Sequence, residues 1–235
     1  MDFVSLASSS KGNCYILSDG TTRIMIECGL SEREIKKRLH AANICALSDI
    51  SAVLISHEHK DHSKSASQML NTGISVYTSE GTADALCDKR FDIISAREEF
   101  SVGTFDILPF ETYHNAAEPL GFLIRSRSTG ERFLFAIDTV NMPYIVPNLD
   151  YIAIECNYVA SELARHTQIV ERVKKHVENA HFELSMVTKY LSKLDLSGVR
   201  QIWLMHLSAT HSNEAVILQT FQEQFPHINI EICAE

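Results

Sequence analysis

The chain has 235 residues, 45% of them hydrophobic and 22% charged, with a formal net charge of −9. That is enough for one substantial core and short for two, and no Pro-, Gly- or Ser-rich tract marks a linker or a disordered tail. The acidic balance argues against broad nonspecific binding to duplex nucleic acid, although two bound divalent cations would cancel roughly four negative charges locally.

No apolar run reaches the length of a membrane helix, and the opening MDFVSLASSSKGN lacks a basic stretch followed by an apolar one. A cytoplasmic protein without a membrane partner is therefore expected. The six cysteines (Cys14, Cys28, Cys45, Cys87, Cys156 and Cys233) are scattered, with no CxxC pair. They read as reduced, mostly buried thiols and not as a zinc-thiolate site. Any metal must then be held by histidines and carboxylates.

In chain order, DFVSLA, CYILSD and TRIMIEC are apolar-rich runs separated by turn residues and predict short strands. The Ser-rich SSSKGN between the first two lacks Walker spacing and reads as a connecting turn. SEREIKKRLHAA predicts a helix with Ser31 as N-cap and Ile35 and Leu39 on its apolar face. SAVLIS is a short buried strand, and SHEHKDH follows it on what reads as an extended loop. SKSASQMLNTG and SEGTADALCDK predict helices, with the strand ISVYTS between them. Residues 91–137 return to strands: FDIIS, TFDILPFETYH, LGFLIRSR and ERFLFAID, the last two joined by the hairpin signal RSTGER. After the strand LDYIAIEC come helices over SELARHTQIVERVKKHVEN and ELSMVTKYLSKL, then strand RQIWLMH, helix NEAVILQTFQEQF and strand INIEIC. Two strand-rich blocks accompanied by helices predict an α/β fold of two packed sheets with helices outside, as a single domain over residues 1–235.

The stretch VLISHEHKDHS places His57, His59, Asp61 and His62 after an apolar run. It could be a solvated turn, a structural metal clip or part of a catalytic site. His57 and His59, two apart, can face one point, while Asp61 and His62 can serve a second. Downstream, His114 closes TFDILPFETYH, Asp138 closes ERFLFAID and His206 closes RQIWLMH. Each alone would read as a core or capping residue. Four strand ends carrying His or Asp, at the edge where sheet-based folds build their sites, make a constellation.

SHEHKDH resembles the HxHxDH signature of the metallo-β-lactamase superfamily, and the order HxHxDH, His, Asp, His is similar to that family's metal motifs. ASSSKGNCYILSDGTTRIMIECGLS near the start, with AHFELSMVTKYL and QIWLMHLS near the end, resembles the YycJ-like branch, whose characterised members are DNA exonucleases. The phage anti-Pycsar cyclic nucleotide phosphodiesterases resemble the same branch.

The resemblance implies an αββα sandwich holding two divalent metal ions, zinc foremost, with manganese or iron also compatible with such ligands. His57, His59 and His114 would hold the first ion, Asp61, His62 and His206 the second, and Asp138 would bridge. Water between two such ions ionises near neutral pH and can attack a phosphodiester, with Asp61 also orienting it. His181, in NAHFELS, stands where related phosphodiesterases including tRNase Z carry a histidine. It would give the leaving alkoxide its proton, or else only pack at the start of a helix. Relatives carry Asp where this chain has Glu27, in MIECG, and there it supports a ligand histidine from behind; the longer side chain would alter that support. Arg165, His166 and Lys175, in the basic run before His181, would either face substrate phosphate or lie on a solvated helix face. Glu58 and Lys60 read as outward-facing spacers. The implied substrate is nucleic acid, with a small cyclic nucleotide as the alternative; a homodimer is a further possibility. A lactam or thioester hydrolase and a non-catalytic metal-binding scaffold are the weaker readings.

Overall fold

A computed structural model describes residues 1–165 and 171–233. The fold class is α/β, two mixed sheets with helices, and the chain divides into two compact units.

The first unit comprises Met1–Glu111 and Ala116–Glu131. Its sheet runs in the order β1 (Asp2–Ser9), β2 (Gly12–Ser18), β3 (Arg23–Ile26), β4 (Ala52–Leu54), β5 (Ser75–Thr78), β6 (Asp92–Ile93). The first two pairings are antiparallel and the next three parallel. β2 and β4 are buried along their whole length, as continuous apolar runs in an inner strand must be. Helix α1 (Glu32–Ala41) starts where Ser31 accepts from the Glu34 N–H, and it buries Ile35 and Leu39. Those two pack in a core with Ile16, Met25, Val53, Met69 and Val76.

A single helical turn, α2 (Lys60–Ser63), precedes α3 (Ala66–Asn71), and α4 (Glu80–Ala85) is capped by Ser79. Three further strands, β7 (Phe100–Val102), β8 (Phe105–Glu111) and β9 (Leu120–Ser126), pair antiparallel in sequence. The RSTGER turn after β9 closes with the Ser126 N–H on the Glu131 carbonyl and Gly130 at φ +76°.

The second unit comprises Thr112–Asn115 and Arg132–Cys233. Its strands β10 (Arg132–Ala136), β11 (Tyr151–Glu155), β12 (Gln201–Met205) and β13 (Asn229–Ile232) pair parallel throughout. Helices α5 (Ala160–Arg165), α6 (Glu171–Ala180), α7 (Leu184–Leu191) and α8 (Glu214–Gln224) complete it. Glu183 caps α7, accepting from the N–H groups of Ser185 and Met186, and α7 buries Leu184, Val187 and Leu191. Among the described residues no helix is long and apolar enough to cross a membrane.

Among the described residues the predicted elements recur with three corrections; residues 166–170, inside the predicted helical run 161–179, lie outside the described residues. The loop after β4 is not extended throughout: residues 60–63 form the turn α2, with the His62 and Ser63 N–H groups on the His59 carbonyl. β7 carried too short an apolar pattern to be read. Finally, the strands stop earlier than their apolar runs. β8 ends at Glu111, β10 at Ala136 and β12 at Met205, so His114, Asp138 and His206 stand beyond the ladders. For two of them the reason is local, since Asp138 and His206 have φ of +45° and +55°, which no strand accommodates.

The turn after β3 is equally constrained. A Cβ built on Gly29 would sit 1.6 Å from the Asp61 carbonyl oxygen, and the Cys28 N–H donates to the His62 carbonyl at 2.8 Å. Gly29→Ala must therefore displace backbone on one side or the other. We expect it to cost about 3 kcal/mol, read as a lowered Tm in thermal unfolding; an unchanged Tm would show that this packing is not tight.

Candidate metal centre

In the first unit the site is built where β3 and β4 end. Glu27, at φ +62°, turns the chain out of β3 and buries its carboxylate completely. Its Oε1 accepts from the Ser56 N–H at 3.1 Å, fixing the residue before the histidines. Ser56 Oγ lies 2.8 Å from His57 Nδ1, so the other ring nitrogen of His57 is the one presented. That Nε2 stands 3.0 Å from His59 Nδ1, the rings nearly perpendicular at 78°. Two ring nitrogens this close must share a proton or a cation.

The turn α2 then brings Asp61 and His62 back, with the His62 ring 4.2 Å from that of His57. His62 Nε2 lies 3.3 Å from Asp61 Oδ2 and 3.2 Å from Asn13 Nδ2. Glu27 Oε2 comes within 3.6 Å of His62 Nδ1, long for a hydrogen bond. The longer side chain thus reaches the ligand histidine but does not close on it. Burial holds the Glu27 carboxyl above the usual range, with His62 and Ser56 opposing.

In the second unit the His114 Nδ1–H donates to the Ala180 carbonyl at 2.7 Å. Its Nε2 is 3.4 Å from Asp138 Oδ2. Burial lowers the His114 pKa, which favours the neutral ring that a metal ligand needs. Asp138 Oδ1 lies 2.5 Å from His206 Nδ1. One ligand atom each from Asp138, Glu155, His181 and His206 falls within a mutual 4.8 Å.

Glu155, unanticipated from sequence, ends β11 and is fully buried. Its Oε2 accepts from the N–H groups of Thr139 (2.9 Å) and Phe182 (3.2 Å), and its Oε1 lies 2.6 Å from His181 Nδ1. With both oxygens occupied in this way, Glu155 is a hydrogen-bond acceptor that orients His181. Burial resists its ionisation, but His181 and His206 together hold the carboxyl below its ordinary value. Burial likewise resists protonation of His181, but Glu155 and Asp138 together raise that pKa.

The structure thus gathers His57, His59, Asp61, His62 and Glu27 in one unit and His114, Asp138, His181 and His206 in the other. Arg165 is exposed and paired with Glu162 at 2.8 Å, and Lys175 is exposed on α6; His166 lies outside the described residues. Two supporting residues escaped the sequence reading. Asn13, within the stretch read as a mere turn, is fully buried and donates to the Asp61 carbonyl at 3.3 Å. Glu155 follows the same rule that exposed Asp138 and His206, a polar residue closing an apolar strand. Glu58 is a correction in part: it is half-buried and no idle spacer, with Oε2 shut from solvent and Oε1 accepting from the Ala117 N–H at 2.9 Å in an exposed position.

The donors suit a divalent metal. They are imidazoles and carboxylates, and His57 and His114 each have the second ring nitrogen tied to an oxygen, as ligating histidines do. Among the described residues no cysteine joins the groups of candidate ligands, and burial pushes the Cys14 and Cys28 thiols up.

Comparison with known proteins agrees. The chain is 26% identical over 97% of its length to exodeoxyribonuclease WalJ of Streptococcus pneumoniae, covering 89% of that protein. Over 54% of its length it is 26% identical to exodeoxyribonuclease YycJ of Bacillus anthracis, covering 51% of that one. The metallo-β-lactamase fold protein YhfI of Bacillus subtilis superposes with a TM-score of 0.76 at 14% identity, over 99% of this chain and 95% of that one. Human tRNase Z, short form, gives 0.63 at 14% identity, over 100% and 97%. Residues 22–207 match the family described as Beta-lactamase superfamily domain, and the chain belongs to it: this is a hydrolase of the metallo-β-lactamase fold.

Proposed function

We propose that the chain is a metal-dependent phosphodiesterase, and that its substrate is DNA, cut as by an exonuclease. The observation that carries the phosphodiester reading is the 2.6 Å hydrogen bond between His181 and the buried Glu155, set among candidate ligands. A phosphodiester leaves as a poor alkoxide and needs a proton, whereas many acyl substrates do not. The similarity to WalJ over nearly the whole chain supports DNA as the substrate.

In this reading the two units act as one domain. His57, His59 and His114 would hold one divalent ion and Asp61, His62 and His206 a second, with Asp138 contributing to both. Zinc fits the imidazole-rich donors best; manganese or iron remains compatible. When bound, such ions supply Lewis acidity and water that ionises near neutral pH.

The chain's own residues do the rest. Asp61 orients the attacking water. Glu155 keeps the His181 proton on Nδ1, leaving Nε2 to protonate the departing oxygen as the imidazolium. Glu27 and Asn13 keep the motif loop in place. The free cysteines fit a reducing cytoplasm. The net charge of −9 favours a second reading, a small cyclic nucleotide in place of a polymer.

Turnover of bis-p-nitrophenyl phosphate, cyclic mononucleotides and 5′-phosphorylated single-stranded DNA separates these readings. Digestion of DNA is expected, whereas cleavage of cyclic nucleotides with DNA left intact would replace the nuclease reading with the second. His59→Ala should abolish turnover while the protein stays folded by circular dichroism; retained turnover would refute the ligand assignment. His181→Ala should lower kcat about 10²- to 10⁴-fold and recover with substrates whose leaving group needs no proton.

The pair also sets a sign for pH dependence. Glu155, depressed, stabilises the fold above its unfolded-state pKa and loses this as pH falls through its folded value. His181, raised, stabilises below its unfolded-state pKa and loses this as pH rises through its folded value. In metal-free protein Glu155→Gln should therefore shift the His181 imidazole titration, followed by NMR, to lower pH. An unmoved midpoint would show that Glu155 does not govern it.

A further inference from the structure

Glu58 is the unexplained charge in the histidine motif. Its Oε1 accepts from the Ala117 N–H at 2.9 Å, 59 residues away in sequence, and its backbone carbonyl accepts from Ser63 Oγ at 2.7 Å. Its Oε2 is buried without a hydrogen-bond partner among the described residues. One oxygen of a half-buried carboxylate shut away from solvent without a partner needs a reason.

The partner segment supplies one. Ala117 lies three residues after His114, and the stretch that follows is pinned at several points. The Leu120 N–H donates to the Ser56 carbonyl at 3.0 Å. Ser79 Oγ donates to the Glu118 carbonyl at 2.7 Å, and the Gly81 N–H donates to Glu118 Oε2 at 2.8 Å. Gly81 has no room for a side chain, since a Cβ there would come within 2.7 Å of Glu118 Cβ. Residues 117–120 are thus a strap tied at one side to the loop carrying His57 and His59, and at the other to the start of α4. Glu58 makes the attachment that lies nearest in sequence to His114.

We propose that Glu58 is a positioning residue: it anchors the strap and thereby sets where His114 stands for metal binding. The proposal rests on the ligand assignment given under the proposed function. What matters is the acceptor Oε1 and not the charge, because Oε2 has no partner. Glu58→Gln keeps an acceptor oxygen at that position; Glu58→Ala does not.

The test uses the full chain, purified as parent, Glu58→Ala and Glu58→Gln. Hydrogen exchange at the Ala117 amide is measured without metal, and zinc affinity is measured by competition with a chelator. In Glu58→Ala the Ala117 amide should exchange about tenfold faster or more, and zinc affinity should fall about 10- to 100-fold. Glu58→Gln should restore both to within about twofold of the parent. Unchanged exchange in Glu58→Ala would overturn the strap. Faster exchange with unchanged zinc affinity would overturn its role toward His114, and failure of Glu58→Gln to rescue would overturn the acceptor argument. A parent that binds no zinc would overturn the ligand assignment and this role together, while the exchange rates still decide the strap.

Discussion

Three of the acidic or imidazole side chains that matter here occupy backbone that L-residues avoid. Glu27, Asp138 and His206 follow the ends of β3, β10 and β12 with φ of +62°, +45° and +55°. Each such residue costs about 1–2 kcal/mol relative to ordinary backbone. The cost is met by the surroundings: Glu27 is bonded by Ser56, and the backbone beyond Asp138 by Glu155 through Thr139. The His206 carbonyl is held by Asn157 Nδ2 at 2.7 Å. The effect in each case is to end a ladder abruptly and turn a functional side chain aside at the carboxyl edge of a strand.

From that constraint the chemistry follows. A strand that ends sharply presents its last side chain on a fixed backbone, so donors are placed by the sheet and not by loop wandering. Hydrogen bonds from behind then choose which ring nitrogen faces forward: Ser56 for His57, the Ala180 carbonyl for His114, Glu155 for His181. Each unit carries its own imidazole and carboxylate donors.

The legibility of all this from sequence was uneven, for physical reasons. HEHKDH could be read because its donors are neighbours, and Ser31 and Ile35 because capping and helical spacing are local rules. His114, Asp138 and His206 could be found because they close apolar runs, though not that their strands would stop short, which depends on φ. Glu155 obeyed the same rule and was passed over because YIAIEC carries no motif. Asn13 was hidden in a stretch read as a polar turn, although it lies in β2, and its burial depends on the loop packed over it. Glu58 was misread because the direction of a loop side chain is decided by a distant partner, the Ala117 amide.

The central claim of the proposed function is that imidazole and carboxylate donors, and no sulfur, hold two metals. X-ray absorption at the zinc edge of the zinc-loaded protein addresses it directly. The account predicts nitrogen and oxygen ligands only, with a metal–metal distance of about 3.5–4 Å. Sulfur in the first coordination shell, or isolated zinc with no metal neighbour at full loading, would contradict it.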